Sequence, residues 1–244
     1  MARTAAALVI GNEILTGKVV ERNVGPLACL LGAIGVRLRR VVVCPDEVEE
    51  IAGELRQLSA AHDLVFTSGG VGPTHDDVTY AAVALAFGRR IVRSEPLANL
   101  LRAHFGPATH EGHLRLADVP EGAELLVTPE MPWPTVQVHN VYVMPGVPEL
   151  FRAKLHALRD RLAQGRPFAS AVLYTTRDEF DIADALADVA RRHAEVAIGS
   201  YPSFRRSDWR VKVTVDGGDP DAVERARAAL VEALGPESIV VPRD

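Results

Sequence analysis

Apolar positions in the first 165 residues follow two alternating patterns. Residues 5–10 form a short apolar run that ends at Gly11, whereas 22–34 carry Val24, Leu27, Leu31 and Ile34 at helical spacing. The alternation repeats. Residues 36–43 read as a strand, 47–61 as a helix with Val48, Ile51, Leu55 and Leu58 on one face, 64–67 as a buried strand, and 79–87 as a helix stopped by Gly88. Strands alternating with helices predict an α/β domain with a mostly parallel sheet covered on both faces. Ligands of such sheets bind beyond the carboxyl ends of the strands, which singles out the loops after Ile10, Val43 and Thr67.

Residues 93–123 are less regular: a helix over 95–105, then a polar stretch with His104, His110 and His113. His110 and His113 have no evident third metal ligand, so a solvated loop is the reading preferred over zinc. Two strands, 125–128 and 136–144, flank a proline-bearing turn at 129–134, and a helix over 148–162 closes a domain spanning 1–165. Beyond Gly165-Arg166-Pro167 the order becomes strand 168–176, helix 179–192, strands 195–201 and 209–216, helix 220–234 and a short strand at 238–241. This βαββαβ order predicts a small α+β domain, ferredoxin-like or KH-like, over 166–244. Asp219-Pro220 opens its second helix with a capping acceptor and a first-turn proline.

Composition narrows the function classes. The 244 residues are 48% hydrophobic and 24% charged, as in an ordinary globular protein. A net charge of −5 argues against a general nucleic-acid binder. No apolar stretch approaches the roughly 20 residues of a membrane span, and the N-terminus carries no secretion signal pattern. The expectation is a cytoplasmic protein without a membrane partner. Cys29 and Cys44 lack metal-ligand spacing and read as buried, reduced thiols.

Chemistry concentrates in Thr67-Ser68-Gly69-Gly70-Val71-Gly72-Pro73-Thr74-His75-Asp76-Asp77-Val78-Thr79. Glycines after a strand let backbone N–H groups approach phosphate oxygens. Adjacent carboxylates would repel a phosphate unless a divalent cation lies between them. The stretch is neither a Walker loop nor a dinucleotide-binding turn. It points to a metal-assisted phosphate or pyrophosphate site, with Ser68, Gly69, Gly70, Val71, Gly72 and Thr74 binding ligand and Asp76 and Asp77 binding metal. Asp76 or Asp77 could equally be a helix-start residue favoured by the macrodipole. Asp46 has two readings, a site carboxylate at the same sheet edge or the start of a capping box with Glu49. Gly11 and Glu13 repeat the theme of a glycine turn followed by a carboxylate. Pro145 and Gly146 make a rigid turn that can wall the pocket. In the second domain, Gly199-Ser200-Tyr201-Pro202 and Arg205-Arg206-Ser207-Asp208-Trp209 read as an exposed connection, with base stacking as the other possibility. No aromatic RNA-binding signature is legible on the strands expected there.

These residues resemble a known family. The Gly-Pro-Thr-His-Asp-Asp-Val-Thr loop, the Cys44-Pro45-Asp46-Glu47 turn, the Pro145-Gly146-Val147-Pro148 turn and the opening Ile10-Gly11-Asn12-Glu13-Ile14-Leu15 are similar to the molybdopterin-binding domain. The likeness is to the version found in CinA-like (competence/damage-inducible) proteins and in the N-terminal part of eukaryotic FAD synthase. Asn140-Val141-Tyr142-Val143-Met144 and Gly199-Ser200-Tyr201-Pro202 resemble the FAD synthase version. The resemblance implies a three-layer αβα fold, a pterin or nucleotide ligand and a homo-oligomer, dimer or trimer. It further implies functional aspartates at Asp46 and Asp77. Relatives are associated with pyrophosphate hydrolysis of FAD or ADP-ribose, aided by a divalent metal (Mg²⁺, Mn²⁺ or Co²⁺) and in some cases K⁺, and others with molybdopterin and adenylyl transfer. Ala81 departs from the pattern, which usually has Glu there. Neither the deamidase domain of CinA proteins nor the nucleotidyl-transferring domain of FAD synthase is expected within these residues.

Overall fold

The computed structural model describes residues 3–129, 131–163 and 165–242. The chain divides into two compact units, the first ending at Gly165 and the second starting at Arg166.

Along the first unit the elements are β1 (Arg3–Ile10), α1 (Asn12–Leu15), α2 (Val24–Ala33), β2 (Val36–Cys44), α3 (Val48–Ala61), β3 (Leu64–Ser68) and α4 (Thr79–Ala86). They continue with β4 (Ile91–Arg93), α5 (Glu95–Phe105), α6 (Glu111–Leu114), β5 (Asp118–Pro120), β6 (Glu124–Thr128), β7 (Met131–Val138), β8 (Val141–Val143), α7 (Pro148–Ala157) and α8 (Arg159–Leu162). The main sheet has the order β2-β1-β3-β8-β7-β6. β2, β1, β3 and β8 are mutually parallel, and β7 runs antiparallel to both its neighbours.

Burial on both faces explains why the central strands read as continuous apolar runs. On one face Ala6, Leu8, Ile10 and Val65 pack with α3, α4 and α5. On the other, Ala5, Ala7, Leu64 and Phe66 pack with α2, α7 and α8, and Phe66 stacks on Tyr142 with ring centroids 5.1 Å apart. A fully buried phenylalanine of this kind contributes about 2–3 kcal/mol of hydrophobic free energy. The result is a three-layer αβα unit.

Several boundaries differ from expectation. The single strand expected over 136–144 is two, β7 and β8, reversed at His139-Asn140. His139 takes φ +52° there, and the Asn140 amide donates to the Ser59 and His62 carbonyls. The prolines after Thr128 lie largely within β7, where it pairs only with β6; the part of the expected turn at residue 130 lies outside the described residues. The helix expected over 148–162 is broken at Leu158 into α7 and α8. The irregular stretch holds a two-stranded ladder, β4 with β5. His110 and His113 cap α6: the His110 Nδ1 accepts the Gly112 N–H at 3.1 Å, and His113 stacks on Phe105. Cys29 is exposed on α2, contrary to expectation, while Cys44 is buried.

The second unit contains β9 (Ala169–Thr175), α9 (Glu179–Arg192), β10 (Val196–Pro202), β11 (Val211–Gly217), α10 (Pro220–Leu234) and β12 (Ile239–Val240). Its antiparallel sheet has the order β10-β11-β9-β12, a ferredoxin-like arrangement with α9 and α10 on one face. Asp219 caps α10 by accepting the Asp221 N–H. Among the described residues no helix is long and apolar enough to cross a membrane.

Candidate functional site

Because β1, β2, β3 and β8 are parallel, the loops that leave their carboxyl ends emerge on one sheet edge. Those loops begin at Gly11, Pro45, Gly69 and Pro145. Gly69 and Gly70 adopt φ +112° and +61°, and a β-carbon on Gly69 would collide with the Ile10 carbonyl oxygen. The glycine turn thus lies directly against the end of β1. Thr79 ties it down from α4: its hydroxyl donates to the Gly69 carbonyl at 2.8 Å and its N–H to the Gly70 carbonyl at 3.1 Å. The Gly69 N–H, expected to hold a phosphate, instead donates to the Met144 carbonyl at 3.3 Å. Val71 packs its side chain against the core on the α3–α5 face.

A cleft of about 450 Å³ opens at this edge, bordered by Ile10, Glu13, Asn23, Ser68, Gly146 and Pro148. Lys18 and Arg22 supply positive charge to its wall, and Glu13 and Glu21 negative. Glu13 folds back over Gly11, where an added β-carbon would lie 2.6 Å from a carboxylate oxygen. Asn23 is the residue that sequence reasoning missed. It is buried, and its side-chain amide donates to the Ser68 hydroxyl and to the Gly146 carbonyl, both at 2.9 Å. Asn23 falls inside the helix expected over 22–34, and its partners are distant in sequence, which hid this role. The cap function is carried by Glu21, whose carboxylate accepts the N–H groups of Asn23 and Val24.

The aspartates sit farther round the edge. Asp46 is half-buried and accepts the Asn12 N–H at 2.8 Å, joining the loops after β1 and β2. It is not a helix cap: Glu47 occupies that position without a side-chain bond. Asp77 is half-buried and accepts the N–H of Thr74 at 2.9 Å and the Thr74 hydroxyl, closing the turn. Gly72 packs beside it, since a β-carbon there would strike the Asp77 carboxylate. Asp76 is exposed. Asp46 follows β2 and Asp77 lies in the loop after β3, the strands on either side of β1.

The donor set suits a hard cation. Mg²⁺ takes one or two carboxylates and completes its shell with water and phosphate oxygens. Among the described residues no three His, Cys, Asp or Glu side chains are grouped to hold a metal ion. Ala81, in the first turn of α4, is exposed. Pro145 is half-buried and starts the turn that places Gly146 against Gly69, with 3.2 Å from an added β-carbon to the Gly69 Cα. A larger apolar cavity of about 600 Å³ opens between α5 and Trp133, and none of the predicted site residues lines it.

Comparison with known proteins places this edge in context. Residues 6–164 match the family described as "Probable molybdopterin binding domain". The chain belongs to the molybdopterin-binding domain family. Residues 167–243 match the "FAD synthase, middle domain". The chain is 35% identical to a "Probable FAD synthase" of Caenorhabditis briggsae, over 95% of its own length and 50% of that protein's. It therefore spans about half the length of that relative. It is 34% identical to a "CinA-like protein" of Gemmatimonas aurantiaca, over 93% of this chain and 58% of the relative. The solved structure of the protein CinA from Thermoplasma acidophilum matches with a TM-score of 0.60 at 30% identity, covering 66% of this chain and 98% of that one. In this molybdopterin-binding domain the glycine turn, the Asp46 turn and the Gly146 turn lie along one edge.

Proposed function

We propose that the first unit binds an ADP-containing dinucleotide such as FAD or ADP-ribose in the strand-end cleft and hydrolyses its pyrophosphate, releasing AMP. The observation that carries this reading is a cleft lined by Lys18 and Arg22 on the same sheet edge as the carboxylates of Asp46, Asp76 and Asp77. FAD as a ligand draws support from the names of the FAD synthase relatives.

In this reading Lys18 and Arg22 neutralise phosphate oxygens, and the Ser68 hydroxyl, oriented by Asn23, contacts one of them. Asp77, with Asp46 or Asp76, would hold Mg²⁺, Mn²⁺ or Co²⁺. When bound, such an ion would supply charge neutralisation on the departing phosphate and polarisation of water, and K⁺ would add to that neutralisation. The glycine turn and the Gly146 turn fix the ligand, so that little reorganisation is left for the reaction itself. The oxygen of water bonds to the adenylyl phosphorus as its proton passes to solvent, the bridging P–O bond breaks with its oxygen leaving on FMN or ribose 5-phosphate, and AMP is released. Incubation of the pure protein with FAD or ADP-ribose and each metal, followed by chromatography, tests this; absence of AMP with every metal overturns it.

A second reading has a specific observation in its favour. Asp46 and Asp77 both accept backbone N–H groups, which leaves fewer lone pairs for a metal and favours a domain that binds molybdopterin or a nucleotide without turning it over. Ligand-induced thermal stabilisation with no AMP release would select it.

A further inference from the structure

The open face of the second unit's sheet carries chemistry that the strand-end cleft does not use. α9 and α10 bury Leu173, Val211, Val213 and Val215 on the other face. Alternation along β11 sends Lys212 outward, and the register pairs it with Tyr174 on one side and Tyr201 on the other. The two tyrosines thus flank a lysine across three strands, about 10 Å apart. Trp209 extends the aromatic surface, with its ring centroid 5.0 Å from that of Tyr174. Phe204, 96% exposed, projects from the connection before it. No local pattern in the sequence links Tyr174 and Tyr201; β11 brings them to one face by pairing each with Lys212.

Charge follows the same surface. Residues 202–212 hold four cations, Arg205, Arg206, Arg210 and Lys212, against one carboxylate, Asp208, in a chain of net charge −5. Arg206 pairs with Asp208 at 3.1 Å and Arg210 with Asp178 at 3.3 Å, while Asp216 lies at the far end of β11. The Arg210 pair is exposed and therefore weak, so its guanidinium can turn to a phosphate at small cost.

We propose that this face binds single-stranded RNA. Unpaired bases offer π-faces to Tyr174, Tyr201 and Phe204, and the interleaved cations meet the phosphates between them. A duplex hides its base faces and would gain only the charge contacts. A flat aromatic surface suits a polymer, which sums several modest stacking contacts, better than a small ligand that needs a concave pocket.

The test is fluorescence anisotropy of a short fluorescein-labelled single-stranded RNA titrated with the full chain at low salt. Saturable binding is expected, with the corresponding duplex weaker. Tyr201→Ala and Phe204→Ala, both at exposed positions, are each expected to weaken it roughly tenfold with unchanged melting temperature. Lys212→Ala should reduce the salt slope by about one, and excess ADP should not compete. No saturable binding, equal binding of the duplex, indifference to both aromatic variants, or full competition by ADP would each overturn the proposal.

Discussion

Asn23 and Gly146 are joined across the strand-end cleft: the Asn23 side-chain amide donates to the Gly146 carbonyl at 2.9 Å, and its other proton goes to the Ser68 hydroxyl. One buried side chain at the start of α2 therefore sets the separation of the turns after β3 and β8. Asn23→Ala removes both bonds and leaves polar atoms unpaired, a loss of roughly 1–3 kcal/mol. Urea unfolding should show that loss, and ligand affinity should fall as the two turns relax. A variant as stable as the wild type would mean that the bracket is not needed.

Ala81 stands exposed in the first turn of α4, two residues beyond the Thr79 that ties down the glycine turn. If the missing carboxylate limits metal binding, Ala81→Glu should raise AMP release by about tenfold, within the range seen for residues that support metal ligands, and lower the metal concentration required. Unchanged metal dependence would exclude that role.

Lys154 on α7 is buried, with its ammonium donating to the Trp133 and Pro134 carbonyls at 2.8 and 2.7 Å. Burial pushes its pKa down to about 8. The unfolded chain keeps that proton to about pH 10.4. Between these values the unfolded state binds more protons, so stability rises with pH across this window through Lys154. Urea titrations from pH 7.5 upward should show that rise in the wild type relative to Lys154→Met. Identical slopes would remove the assignment.

The two thiols should react differently. Cys44 is buried at the end of β2, and burial, aided by the nearby Glu50, Glu54 and Asp46 carboxylates, pushes its thiol up to about 12. Cys29 is exposed. Thiol titration of the native protein near pH 8 should modify Cys29 promptly and Cys44 only on unfolding, because the thiolate is the reactive form. Prompt modification of both would contradict the burial of Cys44 at the end of β2.

Legibility from sequence tracked the range of the determining contacts. β1 and β3 were readable because strands covered on both faces must be apolar throughout, and α3 because Ile51, Leu55 and Leu58 repeat at helical spacing. The β7–β8 reversal was hidden because His139-Asn140 lacks turn glycine or proline, while its stability comes from Asn140 bonds to the distant Ser59 and His62 carbonyls. β4 and β5 have three residues each, too few for a pattern to register. At the site, the shared edge of Gly11, Asp46, Gly69 and Gly146 followed from strand polarity alone. Asn23 escaped because its partners are 45 and 123 positions away. Asp46 satisfied a local capping rule, yet its carboxylate went to Asn12, 34 positions earlier.

The central claim, that diphosphate and carboxylates meet at one sheet edge, is tested most directly by a crystal structure with an ADP-ribose analogue and Mn²⁺, located by anomalous scattering. The account predicts the diphosphate in the cleft beside Ser68 and Gly146, with the metal peak on an oxygen of Asp77 or Asp46. Ligand seated in the apolar cavity beside Trp133, or a metal peak away from both aspartates, would contradict it.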